Sequence, residues 1–296
     1  MRLRPFELAE PRSLPEAIEA LGRPDGEARL IGGGTALVPM IRLGLIKPDR
    51  VIALHRVHGL AELTADAGAL HLGAMVSMAD IERAPIVRAG WPLLADAAGR
   101  VATPAIRSSA TLGGNLGYAE AASDPAPALL CLDAEVRIAG PRGERSLPVA
   151  RFLTGFYETA LAPGEIVTGV RVPACPPGAR SSYVKFCPRS AEDKPLIGVA
   201  VLLVLDPDSG RCQEARIALG GAAPTAIRAA RAESSLRADG LDDHRTIRMA
   251  ADAAAAEAEP LSDLMGSADY RREMVRVWVG RLLMALRDGR PGSPRR

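Results

Sequence analysis

The stretch Leu30-Ile31-Gly32-Gly33-Gly34-Thr35-Ala36-Leu37 carries the strongest structural signal in this 296-residue chain. An apolar segment leads into three glycines, and a threonine then begins an apolar run that favours a helix. Glycine lacks a Cβ and adopts positive φ at little cost, so such a backbone can approach a ligand closely. Free N–H groups of the turn and the helix start can then bind an anion such as a diphosphate. A plain strand–turn–helix corner explains the same residues equally well, since the G-x-G-x-x-G and Gly-Lys-Ser/Thr spacings are both missing.

The residues around this glycine stretch predict a compact β-α-β unit. Residues 28–31 are expected to form a buried strand, and the continuous apolar run at residues 51–54 is typical of a strand that is buried on both faces. Between them, residues 36–43 form a short helical pattern that Gly44 ends. The candidate anion site would then lie at the carboxyl end of the first strand, where ligands bind in open α/β sheets.

Composition sets the class of protein. A hydrophobic content of 48% in 296 residues supports a sizeable core and two or more domains. The net charge of +2, with both signs interspersed, gives no reason to expect nucleic acid as a partner. Four cysteines stand far apart without a C-x-x-C pair, which indicates reduced thiols and excludes a local iron–sulfur or zinc cassette. No apolar run of signal-peptide or membrane-spanning length occurs, so we expect a cytoplasmic protein without a membrane span.

A second unusual segment follows at Ser108-Ser109-Ala110-Thr111-Leu112-Gly113-Gly114-Asn115-Leu116, which we interpret as a loop. Its hydroxyl groups, paired glycines and amide are suited to hydrogen bonding with a polar ligand. Asp124 lies nine residues beyond Asn115 and directly precedes Pro125. Its carboxylate could accept hydrogen bonds from ribose or ribityl hydroxyls. It could equally cap the helix that follows Pro125, and the two roles are compatible.

The C-terminal part begins after residues 173–178, a linker rich in proline and glycine. Residues 182–186 open this part, and two strands at residues 197–205 and 212–219, joined by a turn at residues 206–210, predict an antiparallel sheet. Three helices should cover it: one from Pro224, one capped by Asp242, and one over residues 269–287.

Together these residues carry a family resemblance. Gly32-Gly33-Gly34-Thr35, followed by Thr111-Leu112-Gly113-Gly114-Asn115 and Ser123-Asp124, resembles the FAD-binding medium subunit of molybdenum hydroxylases. That family includes aerobic carbon monoxide dehydrogenase and the xanthine dehydrogenases. The resemblance extends from Phe6 to about Arg287. It implies an α+β chain with a two-subdomain FAD-binding fold of the p-cresol methylhydroxylase or vanillyl-alcohol oxidase type, followed by an antiparallel sheet with a three-helix bundle. The implied domains are FAD subdomains at residues 1–57 and 58–175 and a C-terminal domain at residues 179–290.

The resemblance also implies a set of FAD-binding residues. The first glycine segment would wrap the diphosphate, and the second would contact the diphosphate and the flavin side. An aspartate, a lysine and two apolar residues would complete the site. The whole implied set is Leu30, Ile31, Gly32, Gly33, Gly34, Thr35, Ala36, Leu37, Val101, Thr111, Leu112, Gly113, Gly114, Asn115, Asp124, Val167 and Lys185. The chain departs from the family at three positions. Gly32 replaces the usual alanine, and Ala36 replaces a residue that is small and polar in some members. Val101 stands where the family can have an aromatic residue.

The function implied by the resemblance is electron transfer. FAD would take electrons singly from [2Fe–2S] clusters of a small subunit and give them to NAD, a quinone or oxygen. Substrate hydroxylation would occur at the molybdenum cofactor of a large subunit, within a dimer of heterotrimers, so we assign no catalytic residue and no metal ligand to this chain. Two alternatives stay open: a self-sufficient flavin oxidoreductase on the same fold, and a flavin-free interaction or scaffold module. The charged residues 188–195 form either a solvated hairpin or a screen over one face of the flavin.

Overall fold

The computed structural model describes residues 4–66, 68–239, 241 and 244–290. Its first layer consists of β1 (Glu7–Ala9), α1 (Leu14–Gly22), β2 (Ala28–Ile31), α2 (Leu37–Arg42) and β3 (Arg50–Ala53). The strands are parallel in the order β1-β3-β2, and a short 3₁₀ turn follows at Leu54–Arg56. The predicted β-α-β unit around the glycine stretch is therefore confirmed, but β2 is partly exposed rather than buried.

The second layer is an antiparallel sheet with helices inserted between its strands. Its elements before residue 132 are β4 (Leu63–Ala65), β5 (Ala69–Gly73), α3 (Met78–Arg83), α4 (Pro85–Gly90), α5 (Pro92–Gly99), α6 (Pro104–Ser109), α7 (Leu112–Tyr118) and α8 (Pro125–Cys131). The later elements are β6 (Glu135–Gly140), β7 (Gly143–Pro148), α9 (Val149–Phe152), β8 (Leu153–Gly155), β9 (Glu158–Thr159) and β10 (Ile166–Pro173). The main sheet has the order β4-β5-β10-β6-β7, and β8 pairs with β9.

The interpretation of residues 108–116 as a loop is wrong. Helix α6 ends at Ser109 and α7 begins at Leu112, so only a two-residue connection separates them. Thr103 and Thr111 begin these helices, because each hydroxyl accepts a hydrogen bond from the backbone N–H three residues on. This capping satisfies N–H groups that a helix start leaves without intrahelical partners, and it offsets the low helix propensity of Gly113 and Gly114.

The C-terminal part contains β11 (Arg180–Phe186), β12 (Ile197–Leu205), β13 (Cys212–Gly220), β14 (Ile227–Arg228), α10 (Ala230–Asp239), α11 (His244–Glu257) and α12 (Ala268–Arg287). The strands form an antiparallel sheet in the order β11-β12-β13-β14. The predicted antiparallel sheet and the long last helix are confirmed. The helix expected from Pro224 is wrong, because Ile227 and Arg228 pair with β13 and the helix begins only at Ala230. The expected cap Asp242 lies outside the described residues.

The C-terminal sheet is buried on both faces. On β12, Ala200 and Leu202 belong to the core of the second layer, whereas Val199 and Val201 belong to the core beneath α10, α11 and α12. Successive side chains of a strand point to opposite faces, so this one strand joins two cores. The same arrangement places β11 against the second layer. None of the helices in the described ranges is long and apolar enough to cross a membrane.

Candidate functional site

The two glycine segments are in direct contact. A Cβ added at Gly33 would lie 1.6 Å from the carbonyl oxygen of Ser109, and one added at Gly32 would lie 2.5 Å from Oγ1 of Thr111. Only glycine fits at either position without moving the backbone or the threonine. The carboxyl end of β2 and the connection between α6 and α7 therefore form one continuous surface. A ligand bound by the first glycine segment could contact both segments on this surface.

The start of α7 is tied closely to the second layer. The N–H of Gly113 donates to the carbonyl of Ala74 at 2.8 Å, and the N–H of Leu112 donates to the carbonyl of Val76 at 2.9 Å. A Cβ on Gly113 would lie 2.6 Å from the Cβ of Ala74, so this glycine is required for the approach of the two segments. Leu112 is fully buried beneath the surface.

The first glycine segment offers a row of unused donors. Within the described ranges, no acceptor meets the N–H groups of Gly32, Gly33, Gly34 or Thr35. Gly34 has φ of +72°, a conformation that suits glycine. Consecutive free N–H groups in a turn form an anion-binding concavity, and backbone N–H groups are otherwise rarely left unpaired. The segment therefore fits a bound diphosphate. Its partly exposed flanking residues are Leu30, Ile31, Ala36 and Leu37.

Asp124 does not cap helix α8. Its carboxylate makes no capping hydrogen bond, so that alternative is wrong. The neighbouring Ser123 accepts the N–H of Ala126 at 3.4 Å and donates its hydroxyl to Oδ1 of Asn115 at 2.7 Å. The Ser123 hydroxyl thus joins the start of α8 to α7, and the Asp124 carboxylate is left free to interact with another part of the chain.

That carboxylate interacts with β11. Oδ1 of Asp124 accepts the hydroxyl of Tyr183 at 2.8 Å, and Oδ2 accepts Nζ of Lys185 at 3.1 Å. Nζ of Lys185 also donates to the carbonyl of Arg100 at 2.8 Å. The Asp124 and Lys185 side chains are only 6% and 3% exposed. Burial raises the pKa of Asp124 to about 6, although Lys185 and Tyr183 both favour the charged form.

Tyr183 is the site residue that the sequence analysis did not select. Residues two apart on a strand share a face, so alternation along β11 was the signal that would have placed Tyr183 beside Lys185. Gly198 on β12 leaves room for this tyrosine, since a Cβ there would lie 2.6 Å from the Tyr183 hydroxyl. Burial and the Asp124 carboxylate raise the pKa of Tyr183 well above its usual value, so the hydroxyl stays a donor.

A cavity of about 560 Å³ opens between the second layer and the C-terminal part. This volume is within the range of cofactor and substrate pockets. Its polar walls include Lys185 and residues 189–192, and its other lining residues include Arg100, Ala102, Phe186 and Trp278. A lysine ammonium has three N–H donors. Lys185 uses two of them within the described ranges, so one remains for a ligand in the cavity.

The two apolar candidates occupy different surroundings. Val101 lies beside the cavity, and its carbonyl accepts Nη1 of Arg107 at 3.1 Å. Val167 is only 5% exposed and lies on β10, in the core of the second layer, opposite Ile138. The structure therefore places Val101 next to the cavity but not among its lining residues, and it keeps Val167 in the core of the second layer.

Residues 188–195 do more than form a solvated hairpin. Arg189 and Glu192 line the cavity, whereas Nζ of Lys194 forms an ion pair with the Glu120 carboxylate of the second layer. Glu120 also accepts the hydroxyl of Tyr157 at 2.9 Å. One end of this segment is therefore anchored to the second layer while its other end forms a wall of the cavity.

The comparison with protein families decides the class. Residues 4–175 match the model described as FAD binding domain in molybdopterin dehydrogenase, and residues 182–286 match the CO dehydrogenase flavoprotein C-terminal domain. The chain belongs to this family of FAD-binding dehydrogenase subunits. The predicted resemblance, the FAD cofactor and the oxidoreductase class are confirmed. Within the described ranges, no group of three or more His, Cys, Asp or Glu residues is placed to hold a metal ion.

Individual relatives match along nearly the whole chain. The carbon monoxide dehydrogenase medium chain of Hydrogenophaga pseudoflava is 34% identical over 280 residues, covering 95% of this chain and 96% of its own. The 6-hydroxypseudooxynicotine dehydrogenase complex subunit alpha of Paenarthrobacter nicotinovorans is 33% identical, covering 97% and 96%. A solved structure of carbon monoxide dehydrogenase from H. pseudoflava matches with a TM-score of 0.92 and 35% identity, covering 97% of this chain and 98% of that one.

Proposed function

We propose that this chain is the FAD-carrying electron-transfer subunit of a molybdenum hydroxylase complex. It receives electrons from [2Fe–2S] clusters of a small subunit and passes them to an external acceptor, and a large subunit with the molybdenum cofactor oxidises the substrate. The relatives' names support an assembly, since they are called a medium chain and a complex subunit. We further propose that three such chains form a heterotrimer, and that the heterotrimer dimerises.

One observation carries this proposal: the four free N–H groups beside the contact of Gly33 with Ser109. A turn held against a second segment without side chains between them keeps its donors in place before the ligand arrives. Preorganised donors lose little entropy on binding, so the segment suits tight retention of a diphosphate. Retention is what an electron carrier needs, because its cofactor is reduced and reoxidised without leaving.

The surrounding residues would hold the rest of FAD. We assign contacts with the diphosphate to residues 30–37 and to the α7 start, Thr111, Leu112, Gly113, Gly114 and Asn115. Asp124, Lys185 and Val101 would contact the flavin side, and Val167 would support that wall from the core. Bound FAD supplies the redox chemistry. Lys185 offers an N–H donor and a positive charge at the cavity wall, and residues 189–192 limit access of water to the cavity.

We also propose the finer description of the fold. The parallel layer and the antiparallel layer would be the two subdomains of a p-cresol methylhydroxylase-type FAD fold, at residues 1–57 and 58–175. Residues 179–290 would form the third domain, with α10, α11 and α12 as a three-helix bundle on the C-terminal sheet. The position of the candidate diphosphate site between the two layers supports this division.

The proposal is tested by purifying the affinity-tagged chain from cells that also express its partner subunits. Absorption spectroscopy and metal analysis then give FAD, iron and molybdenum per chain. We expect about one FAD per chain, with iron and molybdenum subunits co-purifying, and reduction of the flavin only when those subunits are present. A flavin-free preparation would overturn the assignment. Turnover of a substrate by the isolated chain would favour a self-sufficient flavoenzyme instead.

A further inference from the structure

Tyr183 carries a buried hydroxyl that packing alone does not require. The side chain is fully buried on β11, and the hydroxyl donates to Oδ1 of Asp124. A phenylalanine would fill the ring space without any hydrogen-bond partner, whereas a buried tyrosine hydroxyl needs one. Gly198 on the adjacent strand β12 leaves the space that the hydroxyl occupies, since a Cβ there would lie 2.6 Å from it. Two positions of the sheet are therefore fitted to a donor aimed at Asp124.

The carboxylate of Asp124 links Tyr183 to Lys185. Asp124 stands at the N-cap position of α8 without capping it, so both carboxylate oxygens are available to β11. Oδ1 accepts the Tyr183 hydroxyl, and Oδ2 accepts Nζ of Lys185 at 3.1 Å. Turning the carboxylate would break one of these charge-assisted bonds. The bond to Tyr183 therefore fixes the position of the oxygen that holds Lys185.

Lys185 extends this hydrogen-bond network to the cavity, whose wall it lines. Its Nζ also donates to the carbonyl of Arg100 at 2.8 Å, and two bonds to fixed acceptors determine where the third N–H points. In the part of the chain that the structure describes, Lys185 forms its ion pair with Asp124, whereas the nearby cation Arg100 pairs with Asp96 at 3.2 Å. Tyr183 is not among the lining residues of the cavity, so it acts on a ligand there through Asp124 and Lys185.

We propose that Tyr183 is a positioning residue for the reduction of FAD: by holding Asp124, it keeps an N–H and the positive charge of Lys185 directed at the flavin. Uptake of two electrons from the [2Fe–2S] clusters and one proton from solvent converts FAD to FADH⁻, which carries one more negative charge. A cation that is already in place stabilises this charge without reorganisation when the electrons arrive. The inference rests on the proposed function, since it assigns a role to a residue behind the cofactor contacts.

The first test measures the flavin reduction potential in complexes purified with all the subunits. It is made at about pH 8.5, well above the pKa of about 6 of Asp124, so that this carboxylate is ionised. Lys185→Met should disfavour reduced FAD about tenfold, a fall of about 30 mV, because one charge-assisted bond is lost. Tyr183→Phe should act in the same direction by about threefold, because the lysine is loosened but not removed. Tyr270→Phe, at a partly exposed tyrosine on α12, is the matched control and should keep the wild-type potential.

Two further measurements separate positioning from a purely structural role. In the Lys185→Met background, Tyr183→Phe should lower the potential no further, because its effect passes through the lysine. The chain has only three lysines, Lys47, Lys185 and Lys194, so lysine labelled with ¹³C at Cε gives few signals, and Lys185→Met identifies the one of Lys185. That signal should move in Tyr183→Phe, with or without FAD, while the other two stay in place.

Several results would overturn the inference. They are a wild-type potential in Tyr183→Phe, effects of Tyr183→Phe and Lys185→Met that add fully, and an unmoved Lys185 signal. Loss of FAD from Tyr183→Phe but not from Lys185→Met would also overturn it, since removing the lysine must be at least as severe as loosening it. A wild-type chain that binds no FAD would contradict the proposed function, and the Lys185 signal of the flavin-free chain would still decide the role of Tyr183.

Discussion

The carbonyl of Ser109 occupies the space that a side chain at Gly33 would need. The clash distance of 1.6 Å from a Cβ to the oxygen is far inside any real contact, and the obstacle is backbone on both sides. The two segments are 76 residues apart in the sequence, yet each is shaped to fit the other. This contact joins the parallel layer to the second layer at the candidate FAD site.

Replacement of Gly33 by alanine should therefore abolish FAD retention. The added methyl group must push the first glycine segment away from Ser109, and the four free N–H groups move with it. We expect the purified Gly33→Ala protein to lack the flavin absorption band. Gly22→Ala is the matched control, because nothing lies within 4 Å of its Cβ. It should keep FAD and be unchanged or more stable by about 0.5–1 kcal/mol. Full FAD occupancy in Gly33→Ala would refute the assigned site.

The hydroxyl of Tyr183 should contribute measurably to stability. Tyr183→Phe removes a buried hydrogen bond to a carboxylate, for which we expect a loss of about 1–3 kcal/mol in the free energy of unfolding. The pKa of Asp124 should rise further, because one donor to its charged form is lost. Denaturant titration measures the loss. Tyr270→Phe, at a partly exposed tyrosine on α12, serves as the control and should change stability little. Equal stability of the two variants would contradict this role.

Asp124 should make stability depend on pH in a defined direction. The pKa of Asp124 is about 6 in the folded chain, compared with 3.8 for an unperturbed aspartate, which represents the unfolded chain. The folded state therefore binds the proton more tightly. The free energy of unfolding should therefore fall as pH rises from 4 to 6, by up to about 3 kcal/mol relative to Asp124→Asn. Denaturant titrations of both proteins at several pH values measure this difference. A difference that grew with rising pH would show that the carboxylate is stabilised as the charged form.

The ion pair of Lys194 with Glu120 should control access to the cavity. Lys194→Met releases the anchored end of residues 188–195, so we expect faster reduction of a bulky dye acceptor with unchanged FAD content. The stability cost should be small, about 0.2–1 kcal/mol, because the Lys194 side chain is 63% exposed. Glu120→Gln should have the same effect, and the double variant should add little to either one. Dye kinetics unaffected by all three would mean that this segment does not gate the cavity.

Much of the fold could be read from local patterns. The glycine stretch with its flanking apolar runs predicted the β-α-β unit, because turn geometry and strand burial depend on nearby residues. The apolar residues of 197–205 and 212–219, separated by the turn at residues 206–210, predicted two strands to within one residue of their observed ends. Local sequence did not predict the secondary structure correctly where strand pairing overrides a local preference for a helix. Pro224 lies in a helix-start pattern, yet Ile227 and Arg228 are recruited to the sheet by hydrogen bonds to β13.

The sequence by itself determined the two glycine segments to which we assign FAD binding, since the absence of side chains in a glycine turn is a local property. Only the tertiary structure decided that Ser109 meets Gly33, that Asp124 binds Tyr183 and Lys185 rather than capping α8, and that α2 leaves its apolar residues exposed. Each of these depends on distances between residues far apart in the chain. Such distances are set by how the layers pack, because β12 joins two cores at once and so brings β11 against the helix that Asp124 begins.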